Sequence, residues 1–267
     1  MVAVLGLPAV GRSVGVLAVS RPLAAAPAPA PAPAGPAGAG DGLALLAPTP
    51  SAVPSSAVPS SAAPVPDPDA PTAADREAGI LRREVAETGS GVFDVAEGAT
   101  PAPGTGEVHT LRIEVEQGLP VDRGRFADFV LNTLNDPRGW GHDGAMTFAR
   151  TDGDAPLTLM LASPATSSAL CGDLDTRGKL SCRNGPHVVL TLYRWTNGTE
   201  EYTDDLTGYR QYLVNHEVGH ALGHGHEQCR GAGAPAPVMQ QQTLGLKGCA
   251  PNSWPHPEPS PSSAGGA

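Results

Sequence analysis

No phenylalanine, tyrosine or tryptophan occurs before Phe93 in this chain of 267 residues, and all four cysteines lie at or beyond Cys171. The first third therefore lacks the large apolar side chains whose burial offsets the entropy of ordering a chain. It holds proline instead: 14 of the 29 prolines fall between Pro22 and Pro71, in repeats such as APAPAPAPAG and SAVPSSAVPSSA. Such segments favour polyproline II and form no packed core. Residues 29–75 are thus expected to be a disordered linker, 76–105 a lead-in segment, 106–255 the folded domain and 256–267 a disordered tail. A brief helix is expected within REAGILRREVAE of the lead-in.

Ahead of the linker, residues 1–28 run apolar from Val2 to Val19, interrupted by Arg12, and end in small residues around Ala24 to Ala28. This pattern is that of a signal peptide or an uncleaved membrane anchor, which implies a protein secreted or held on the extracytoplasmic face. In that compartment four cysteines pair. Three pairings are possible; Cys171 with Cys182 and Cys229 with Cys249 are the local ones, each flanking a polar, glycine-containing stretch. A net charge of −10 argues against nucleic-acid binding, which needs a basic footprint.

From Glu107 the chain shows regular periodicity. Leu111, Ile113 and Val115 alternate with charged residues, as in a strand with one buried face. Asp122 can cap a helix with Phe126, Phe129, Val130, Thr133 and Leu134 on one stripe, and Asp136-Pro137 closes it. Strands are expected over 145–150, 156–162 and 187–193, the last nearly all apolar and hence central. A turn is expected over 195–199, and a second main helix from Asp204 or Asp205 to Leu222. The order strand, helix, strands, helix defines an α+β domain.

The chemistry is concentrated in Asn215 to Glu227, NHEVGHALGHGHE. His216 and His220 are four apart, so their imidazoles leave one helical face together and can share a metal ion. Glu217 is rotated by about 100° and stands beside the position of a metal-associated water, as a general base would. Gly223 permits a sharp turn after the helix. His226, three residues on, can then return to the same metal; His224 is the competing choice, too close to the turn. Cys229 is a further possible thiolate ligand, with pairing to Cys249 preferred. Three neutral imidazoles leave one position open, the arrangement of a catalytic Zn2+ site.

The stretch HEVGHALGHGH resembles the extended zinc signature of the metzincin metallopeptidases. The resemblance implies a metzincin-like zincin domain: a small twisted mixed sheet packed on two main helices, with a methionine turn beneath the metal. Met239, in APVMQQQT, is the matching residue. It further implies a peptide or protein substrate added as an extra strand along a cleft edge, with Leu157 to Ala162 as the edge strand. Some metzincins follow the turn methionine with a tyrosine that assists at the oxyanion; Gln240 and Gln241 stand here instead, Tyr209 and Tyr212 on the active helix read as packing residues, and no oxyanion-assisting residue is assigned. The stretches DPRGW, LASPATS, LSCRNG and YRQYLVNHEVGHALGHGH also resemble an uncharacterised bacterial family of exported or membrane-anchored domains. The expected activity is that of a monomeric extracytoplasmic zinc endopeptidase. Two alternatives stay open: a zinc-stabilised module that binds peptide or cell-wall polymer, and a zinc hydrolase of a non-peptide amide.

Overall fold

A computed structural model of the chain describes residues 69–257. The expected signal or anchor, the linker as far as residue 68 and the tail from 258 lie outside the described residues. No helix among the described residues is long and apolar enough to cross a membrane.

The described chain is α+β. Its strands are β1 (Phe93–Val95), β2 (Glu107–Glu116), β3 (Met146–Arg150), β4 (Leu157–Ala162), β5 (Cys182–Asn184) and β6 (His187–Thr191). They form one mixed sheet in the order β1-β2-β4-β6-β5. β2, β3, β4 and β6 run parallel, and β1 and β5 run antiparallel to their neighbours. The ten residues of β2 leave room for β3 along Glu107–Leu111 and β1 along Glu114–Glu116 on the same side.

The helices are α1 (Ala73–Glu77), α2 (Arg123–Leu134), α3 (Pro164–Leu170), α4 (Leu192–Asn197) and α5 (Leu206–Ala221). Asp122 caps α2 through the Arg125 amide, and Asp205 caps α5 through the Gly208 amide. The alternation of a strand sends Leu111, Ile113, Leu159, Leu161, Val188 and Leu190 into the main core with Phe126, Val130 and Leu134 of α2 and Tyr209 and Leu213 of α5. The opposite side of the sheet has a smaller cluster of Ala162, Val189, Cys171 and Cys182 beneath α3.

The folded body begins before the boundary that composition suggests. Thr72 caps α1, and Asp75 is fully buried. Arg210 of α5 is also fully buried and donates from Nη2 to Asp75 Oδ1 at 2.5 Å, from Nε to the Trp195 carbonyl and from Nη1 to the Ala74 carbonyl. Arg83 donates to the other Asp75 oxygen at 2.8 Å. Burial pushes the Asp75 carboxyl up, but hydrogen bonds from Arg210 and Thr72 outweigh it and hold the pKa at about 2.

Four local expectations need correction. The lead-in helix ends at Glu77, and Ile80 pairs with Val121 instead of continuing it. The strand expected to reach Tyr193 stops at Thr191, and 192–197 is helical where a turn was expected at Trp195. Burial explains this: α4 drives Trp195 into the core edge-on to Phe126 and Phe129, and packing overrides local strand preference. α3, with Pro164 in its first turn, was not anticipated. Finally β4 lies inside the sheet, between β2 and β6, so Leu157–Ala162 is not the edge. The edge on the β6 side is β5, folded back on β6 by the Asn184-Gly185 turn.

Candidate metal centre

Along α5, His216 and His220 stand one turn apart and Leu222 closes the helix. Gly223 then takes φ +94°, a conformation that side chains rarely adopt, and the chain reverses toward His226. One potential ligand atom from each of His216, His220 and His226 lies within 4.8 Å of the others. His220 Nε2 and His226 Nε2 are 3.1 Å apart. This cluster can hold a metal ion, and among the described residues it is the one group of three or more candidate ligands that does so.

Backbone carbonyls orient the first two rings. His216 Nδ1 donates to the Val238 carbonyl at 2.8 Å, and His220 Nδ1 donates to the His224 carbonyl at 2.9 Å. Each ring thereby carries its proton on Nδ1 and leaves Nε2 as a lone-pair donor, the tautomer a metal requires. Burial pushes the His216 pKa down to about 3, with His220 and His226 adding to the effect, so His216 is neutral at physiological pH. Burial also lowers that of His226, with His220 contributing. The donor set suits a divalent transition metal.

Glu217 is 5% exposed and lies in the same cleft as the three histidines. Burial alone raises its carboxyl to about 8 in the metal-free protein. The cleft has a volume of about 420 Å³. Its floor is α5, with Tyr212, Leu213, His216, Glu217 and His220; one wall is the 174–183 segment and the other is Gln241, Thr243 and Leu244.

Both walls are closed by disulfides. Cys171–Cys182 spans the first wall, and Cys229–Cys249 brackets the loop that holds Met239 and the second. These are the two local pairs expected from the sequence, and they fit a protein that folds outside the reducing cytoplasm. Cys229, bound to Cys249, is outside the donor set. So is the His224 ring, which stacks on Trp140 at 4.4 Å between centroids.

Met239 is buried against Gly219, inside the helical motif. The loop around it touches both ends of the cluster: the Val238 carbonyl accepts from His216, and the Met239 carbonyl accepts from the Glu227 amide at 3.0 Å. Tyr209 and Tyr212 serve this loop. The Tyr212 hydroxyl donates to the Gln240 carbonyl and accepts from the Gln242 amide, and Tyr209 is bonded to Thr243. Burial keeps the Tyr212 phenol far above its ordinary pKa, so it stays a neutral donor.

Reasoning from sequence did not single out Trp140 or Gly219. The signal for Gly219 was present as a glycine inside the helical stretch between His216 and His220, a position where glycine costs about 1 kcal/mol and therefore needs a packing reason.

Fold and site together define an α+β protein with a candidate three-histidine metal centre at the end of a buried helix. Residues 81–253 match the family described as protein of unknown function, DUF3152, and the chain belongs to that family. No curated protein and no solved structure matches the chain.

Proposed function

We propose that this chain is an extracytoplasmic, metzincin-like zinc endopeptidase, secreted or anchored through its N-terminal segment. The observation that carries this reading is the convergence of three imidazole donors, two of them fixed in tautomer by carbonyls, beside the buried carboxylate of Glu217.

His216, His220 and His226 would hold the metal. Zinc in such a site supplies Lewis acidity, polarising a carbonyl and acidifying water. Glu217 accepts the proton of the attacking water and delivers it to the departing amine nitrogen. Its low-dielectric surroundings raise its affinity for a proton, which strengthens it as the acceptor of the water's proton. Met239 and the Cys229–Cys249 bracket hold the loop that fixes His216. The outer edge of β5 supports a peptide substrate: Cys182 and Arg183 of that edge line the cleft, where an extended chain could pair as a further strand.

A second reading has its own observation. No tyrosine follows Met239, and the hydroxyls of Tyr209 and Tyr212 are committed to the 240–243 loop. Among the described residues, Tyr212 is the tyrosine that lines the cleft, and its committed hydroxyl offers no free phenol to an oxyanion, as a zinc-stabilised binding module would not need one.

Glu217→Gln separates the two. The enzyme reading expects one zinc per chain in both proteins, with chelator-sensitive cleavage of a peptide library falling about 10²–10⁴-fold in the variant. Zinc in both with cleavage in neither selects the binding module. Cleavage unchanged by Glu217→Gln would refute the assigned general base.

A further inference from the structure

His224 lies between Gly223 and Gly225, and a β-carbon on either glycine would meet nothing within 4 Å. The turn that carries the chain from α5 to His226 is exposed. Its backbone is held at the start by hydrogen bonds donated by the Gly223 amide to the His220 carbonyl and by the His224 amide to the Gly219 carbonyl. Beyond them, the side chain that ties the turn to the body is His224, stacked on the Trp140 indole at 4.4 Å and 21°.

Trp140 is itself fixed. Its Nε1 donates to the Asn215 carbonyl of α5 at 3.1 Å. Its ring edge lies so close to Gly219 that a β-carbon there would come within 2.6 Å of Cζ2. The indole is thus clamped on the helix, with His224 on its face.

The His224 backbone carbonyl is the acceptor for His220 Nδ1. Whatever fixes His224 therefore fixes the ring orientation of His220 and the direction of the chain two residues before His226.

We propose that Trp140 and His224 are a positioning pair for the metal centre: the stacked His224 ring, acting through its own backbone, sets His220 and His226. The proposal rests on the metal-site reading above. The His224 ring nitrogens have no part in it; flat aromatic area does the positioning.

The test uses the full chain, with zinc affinity measured by competition against a chromogenic chelator and the absorption spectrum of the Co2+ form. Partners that orient metal-binding histidines typically contribute about 10–100-fold to affinity. His224→Ala should weaken zinc binding by that amount and shift the cobalt bands, leaving the melting temperature of the metal-free protein unchanged. His224→Phe, which restores an aromatic ring but no donor, should recover most of the affinity and the wild-type cobalt spectrum. Trp140→Leu should repeat the loss, and combining it with His224→Ala should add little.

Wild-type affinity in His224→Ala would overturn the proposal, and so would His224→Phe as weak as His224→Ala. His226→Ala keeps the two readings apart. If it abolishes binding and His224→Ala does not weaken it, the metal site stands and the positioning pair falls. Wild type that takes up neither zinc nor cobalt would remove both.

Discussion

Gly219 and Met239 are packed so closely that a β-carbon on the glycine would lie 2.5 Å from the methionine sulfur. The last turn of the helix that carries His216 and His220 is thereby in direct contact with the loop that orients His216. In an exposed helix, Gly→Ala stabilises by about 1 kcal/mol. Here the added methyl meets both Met239 and Trp140, and overpacking of this kind costs about 1–3 kcal/mol. Gly219→Ala is therefore expected to destabilise the protein on balance and to weaken zinc binding. Thermal melts with and without zinc check both effects.

Glu217 gives a pH signature in the metal-free protein. Its folded pKa, about 8, is above the 4.5 of an unperturbed glutamate. The folded state therefore binds the proton more tightly, and stability declines as pH rises from 4.5 through 8. Glu217→Gln removes that decline. At pH 8 the metal-free variant should be more stable than wild type by about 1–3 kcal/mol, the scale for an unsatisfied buried polar group. Near pH 4.5 the two should converge. Denaturant titrations at the two pH values make the comparison.

Asp75 behaves in the opposite sense. Its pKa falls from 3.8 to about 2 on folding, so its contribution is present above pH 3.8 and is lost as pH falls toward 2. Removing one partner of a buried ion pair costs about 3–5 kcal/mol. Asp75→Ala should therefore lower stability at pH 7 by that order and flatten the acid limb of the pH–stability profile. A chain beginning at Gly106 loses Asp75 altogether, and it should fail to fold where one beginning at Asp69 succeeds; circular dichroism distinguishes them.

The Cys229–Cys249 bridge closes a loop of the size for which a disulfide contributes about 3 kcal/mol. Replacing both cysteines with serine should lower the melting temperature and loosen the Met239 loop. Zinc should then dissociate faster from the variant, as a stopped-flow chelator exchange would measure.

Much of the site was legible in the sequence because it is local. His216, His220, Gly223 and His226 lie within eleven consecutive positions, and helical geometry and one glycine turn fix their relation. Periodicity found β2, β4 and α2 for the same reason: alternation in Leu111, Ile113 and Val115 and the stripe from Phe126 to Leu134 are readable without partners. What was missed depends on distant contacts. Trp195 makes α4 helical by packing on Phe126 and Phe129, some seventy residues earlier. Trp140 reaches the centre only through Asn215, Gly219 and His224. The edge position of β5 depends on sheet order, which strand patterns alone do not give.

The two disulfides join cysteines in their order along the chain, the first to the second and the third to the fourth, across 11 and 20 residues. An oxidase that links cysteines as they emerge from a translocation channel would make both bonds correctly at the first attempt. Such a chain needs no isomerase to shuffle mispaired intermediates, so its production should depend on the supply of oxidant and not on disulfide proofreading.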